Sequence, residues 1–168
     1  MNGLTGTRRL ARPVRLALAQ HLGSDIDGAW WPYTSSLADE LPQLISVLHK
    51  PLGEIVDICI NWSAVQGPRE LYESVSGPKT ARVGHPGRQR LMVVEGRLGC
   101  ANLLVVPHMT SQPLGVMVMR CAAARSFSSA ERDTELFEIA ECVMRAAQLE
   151  SASWTTRMRA GAVPSQEA

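Results

Sequence analysis

A chain of 168 residues, 45% hydrophobic and 20% charged, has the makeup of one globular domain with a core of its own. Its formal net charge of +1 supplies no overall field for nucleic acid or an anionic surface, and no apolar run approaches the ~20 residues that span a bilayer, so neither nucleic acid nor a membrane is an expected partner. Two of the seventeen basic residues are Lys (Lys50 and Lys79) and the rest are Arg, a skew that GC-rich codon usage accounts for without phosphate binding.

Residues 1–13 are polar, rich in Arg and without period, which predicts a flexible basic arm; they lack the apolar stretch of a secretory signal. Arg15 to Gln20 alternates polar and apolar residues and predicts a short strand. His21 to Asp27 then turns into Asp27-Gly28-Ala29-Trp30-Trp31-Pro32, which sets two of the four tryptophans side by side. Leu37, Leu41, Leu44, Ile45 and Leu48 have helical spacing, and Ser36 with Asp39 fits a capping box at the start of that helix. Pro42 removes a donor inside it, so a kink near Leu41 or a new helix beginning at Pro42 is expected, with Pro51 and Gly53 ending the element. Glu54 to Ser63 reads as a strand with Val56, Ile58, Ile60 and Trp62 on one face and Ile55, Asp57, Cys59 and Asn61 on the other.

Residues 65–87 are rich in turns, with short strands expected near 71–74 and 80–83. Arg90 to Glu95 and Ala101 to Pro107 are two further strands, and the run Leu103 to Val106 predicts a central one buried on both faces. Leu114 to Ala124 is ambiguous between strand and helix; the Ala-rich end favours helix. Ser128 and Glu131 open a long helix to Glu150, with Leu136, Ile139, Ala140, Val143 and Ala147 as its apolar stripe. The expected organisation is a basic arm (1–13), a single α+β domain (14–150) and a disordered tail (151–168). The domain is a mainly antiparallel sheet of about five strands, with helices packed on one side and a long C-terminal helix.

Cys59, Cys100, Cys121 and Cys142 sit in apolar stretches at spacings that fit no zinc or redox pair. They predict buried, unpaired thiols and a reducing, cytoplasmic compartment. Gly-x-Ser-x-Gly, His-Glu-x-x-His, the P-loop and Gly-x-Gly-x-x-Gly are all missing, and the four histidines are dispersed. No catalytic residue, metal ligand or cofactor is therefore assigned.

Over roughly residues 14–125 the chain resembles an actinobacterial domain family of unknown function with a DGAWWP-type motif. The matching features are Asp27 to Pro32, the acidic-leucine helix Leu37 to Leu48 with its internal Pro, the strand Ile55 to Trp62, Leu103 to Pro107 and the Ala-rich helix after it. His108 stands where members carry a second Pro, and the helix after Ser128 is an extension. The resemblance implies a small α+β domain and no activity. A second resemblance, carried by Leu103 to Pro107, Leu114 to Arg120 and the capped helix from Ser128, is to the C-terminal half of a GAF-type sensory domain; it requires Val116 to Met119 to be a strand.

Three groups are candidate sites. Trp30, Trp31 and Trp62 with Asp27 as polar anchor fit an aromatic ligand pocket, although packing in the core is the favoured reading of such side chains. Adjacent residues of extended backbone point to opposite faces, so at most one of Trp30 and Trp31 is expected to be buried. Arg82, His85, Arg88 and Arg90, with Arg97 beyond them, form a candidate anion patch, against the simpler reading of a solvated hairpin. Phe137 and Met144 widen the last helix's stripe and are a candidate interface for a second copy or a protein partner. The leading expectation is a non-enzymatic cytoplasmic binding or regulatory module. A GAF-like small-ligand sensor with an aromatic pocket is the first alternative, an enzyme of unrecognised type the second.

Overall fold

A computed structural model describes residues 12–61 and 89–161. Among them are β1 (Leu16–Leu18), β2 (Gly28–Trp30), β3 (Ile55–Ile60), β4 (Leu91–Gly96) and β5 (Cys100–Val105), joined in one sheet of order β1-β2-β5-β4-β3. Every pairing is antiparallel except β2 with β5. This is the mostly antiparallel α+β sheet that the alternation predicts. β2 was not legible as a strand, because three residues are too few to show a period. The strands expected near 71–74 and 80–83 lie outside the described residues.

β5 sits at the centre and is apolar on both sides, so both faces of the sheet need cover. Ala101, Leu103 and Val105 join Met92, Val94 and Trp30 under α1 (Leu37–Leu52). Leu104 and Val106 join Ala29, Trp31 and Leu91 under α2 (Gln112–Ala122) and α4 (Glu135–Gly161), with the one-turn α3 (Ser129–Arg132) between these two helices in the chain. The helices thus pack on both sides, not on one as expected. The double-sided burial of Leu103 to Val106 already demanded this.

α1 runs unbroken through Pro42 and Pro51, in place of the expected kink or restart, and ends at Gly53 with φ 72°. Its cap also differs. Ser36 makes no side-chain cap bond; instead Glu40 reaches back, its carboxylate accepting from the Tyr33 and Thr34 N–H groups at 2.8 and 2.9 Å. In β3 a register shift between Ile55 and Asp57 turns Val56 outward, 62% exposed, and Ile55 takes its place beside Ile58 and Ile60. Leu114 to Ala122 is helical, as the Ala-rich end predicts.

The expected helix from Ser128 is two helices. Its capping box is present, but Asp133 ends α3 after one turn. Thr134 then restarts the helix: its hydroxyl donates to the Glu131 carbonyl and accepts from the Phe137 N–H. α4 continues past Glu150 to Gly161, so the disordered tail expected from 151 is corrected over 151–161. Ser151 is buried and donates to the Asp25 carbonyl at 2.8 Å, and Trp154 packs against the core. These two contacts anchor a stretch whose own pattern is too polar to predict a helix.

Candidate functional site

The DGAWWP stretch folds as it does because each residue meets a different constraint. Gly28 pairs with Leu18, and a Cβ there would run into the Ala17 carbonyl oxygen. Ala29 is fully buried in the middle of β2. Trp30 and Trp31 follow strand alternation onto opposite faces. Trp30 is 2% exposed among Leu37, Leu44, Leu48 and Leu103; Trp31 is 3% exposed in the other core. The expectation that only one of the two is buried fails because helices cover both faces.

Asp27 is 1% exposed, and three backbone N–H groups take up its carboxyl oxygens. Oδ1 accepts from Gly23 and Ser24 at 2.8 and 2.9 Å; Oδ2 accepts from Asn102 at 2.9 Å. The Asn102 side chain donates in turn to the Ser24 carbonyl at 3.0 Å. The carboxyl therefore ties the turn at 21–26 to β5 rather than facing a ligand cavity.

Beside the motif Arg15 lies between two aromatic rings, 3.8 Å from the Trp31 ring centre and 3.9 Å from that of Tyr33. Its Nε and Nη2 donate to the carbonyls of Trp31 and Pro32 at 3.0 and 2.7 Å. Burial lowers the guanidinium pKa, against the pull of Tyr33 and Glu40. The Tyr33 hydroxyl donates to the Pro13 carbonyl at 2.7 Å. Trp31 Nε1 is buried with no hydrogen-bond partner among the described residues. These neighbours were not singled out from the sequence. A glycine inside the α2 pattern, Gly115, was the one available signal, since it marks close approach of another group.

The other candidates are placed as follows. Trp62, Arg82, His85 and Arg88 lie outside the described residues. Arg90 is half-buried, and burial lowers its pKa; it precedes β4, whereas Arg97 follows that strand and pairs with Glu54 at 2.6 Å. The structure does not bring these two arginines together. Met144 is buried in the core under α4, and half-buried Phe137 stands edge-on to Phe127 with ring centres 4.9 Å apart. Met144 is thus not at a free edge, because α4 is rotated so that its stripe and Met144 pack together.

A shallow cleft between the end of β5, α2 and α4 is lined by Gln89, Val106, Pro107, Thr110, Val118 and Val143; its volume of ≈ 10 Å³ is about that of one water. The two ends of the excursion between β3 and β4 meet at Asn61. Its side chain donates to the Gln89 carbonyl at 3.0 Å and accepts from the Leu91 N–H at 2.6 Å. Among the described residues no cluster of His, Cys, Asp and Glu is placed to hold a metal ion, and no helix is long and apolar enough to cross a membrane.

All four thiols are unpaired, as expected, but none is buried: Cys100 and Cys142 are exposed, Cys59 and Cys121 half-exposed. In β3 and β5 the apolar neighbours of Cys59 and Cys100 point to the opposite face, whereas Cys121 still packs against the edge of the core. Each of three thiols has a raised pKa. For Cys59 the leading cause is its hydrogen bond to Asp57; for Cys100 and Cys121 it is the partial desolvation of the sulfur, aided by the charges of Glu95 and Glu141 respectively.

A sequence-family model described as "Family of unknown function (DUF5994)" matches residues 15–122, from β1 to the end of α2. No curated protein and no solved structure matches the chain.

Proposed function

The chain belongs to the DUF5994 family of unknown function, and from that premise we propose that it is a non-enzymatic binding or regulatory module that works through a protein partner in a reducing, cytoplasmic compartment. One observation carries the preference for a partner over an enclosed ligand. The sheet separates Trp30 from Trp31, so the two indoles cannot line one pocket, and each is packed into its own core. The unpaired thiols support the choice of compartment.

The sensor reading has less support, because the residues it needs as a strand, Val116 to Met119, lie within α2. A melting screen against nucleotides, amino acids, acyl compounds and aromatic metabolites separates the two. A small ligand held at 100 times its Kd adds about 2.7 kcal/mol, which raises Tm by roughly 5–10 °C for a domain of this size. The partner reading expects no such shift. A shift of that size, accompanied by a change in tryptophan emission, would overturn it.

A further inference from the structure

We draw no further inference here: the strongest candidate, the corner of the sheet where Asp57, Cys59, Glu95 and Cys100 share the face away from α1, is an acidic cluster with exposed thiols and no second observation in the structure that points to a ligand there.

Discussion

Gly115 of α2 lies flat against the Trp31 indole: a Cβ on Gly115 would stand 2.5 Å from both Cη2 and Cζ3 of the ring. Helix and tryptophan touch there with no room for one methyl group. Gly115→Ala is expected to destabilise by about 1–3 kcal/mol through overpacking. Trp31→Phe removes the ring atoms that would clash and leaves a small void of its own. The double variant should be more stable than the sum of the two single effects predicts, by at least about 0.5 kcal/mol. Urea midpoints of the four proteins measure the coupling, and strict additivity would show that the contact is not made.

Asp27→Ala leaves the N–H groups of Gly23, Ser24 and Asn102 without their acceptor. A buried donor left unpaired costs about 1–3 kcal/mol, and water can reach the exposed turn at 23–24, so a total loss of roughly 3–5 kcal/mol is expected. Asn102→Ala removes only the side-chain bond to Ser24 and should cost about 1 kcal/mol. Equal effects of the two substitutions would contradict this assignment.

The acid limb of the stability curve tests Glu131. Hydrogen bonding to Arg120 and to the Ser128 N–H holds its carboxyl down at about 2, from the usual 4.5. The folded state thus favours the ionised form. The stability this contributes is fully present above about pH 4.5 and is lost as the pH falls through about 2. The Tm difference between wild type and Glu131→Gln should be constant near neutrality and close below that range. A gap as wide at pH 2 as at neutrality would mean that the carboxyl acts by packing alone.

Truncation after Glu150 removes the Ser151 bond to Asp25 and the Trp154 side chain from the core. A loss of about 2–4 kcal/mol follows from one buried hydrogen bond and one half-buried aromatic. An unchanged melting curve would return residues 151–161 to the status of a tail.

Thiol titration has two readouts. In denaturant without reductant four groups should react, whereas a disulfide would lower that count. In the native state Cys142 and Cys100 should react ahead of Cys59 and Cys121, in keeping with their exposure.

Much of the fold was legible where a period had room to repeat. Ile58 and Ile60 show it in β3 and Leu44 and Leu48 in α1, while the unbroken apolar run from Leu103 marks the central strand β5. What escaped depends on contacts distant in sequence. The three residues of β2 are a strand because β5 and β1 flank them. The break at Asp133 reflects a local contest between the Thr134 hydroxyl and the helix, which composition does not decide. Residues 151–157 are helical because Asp25 and the core receive Ser151 and Trp154. The candidate site was legible only as residue types. That Asp27 bonds three amides, and that Trp30 and Trp31 serve separate cores, follows from where α1 and α2 dock.

One peptide bond joins Trp30 to Trp31 and ties one hydrophobic cluster to the other, as the bonds Leu91–Met92 and Leu103–Leu104 also do in β4 and β5. A displacement of β2 toward α1 withdraws Trp31 from beneath α2, and the reverse motion lifts Trp30 out from α1. Neither side can loosen by itself. The molecule should therefore lose both cores in one cooperative step, with amides under α1 and amides under α4 showing the same opening free energy in hydrogen exchange.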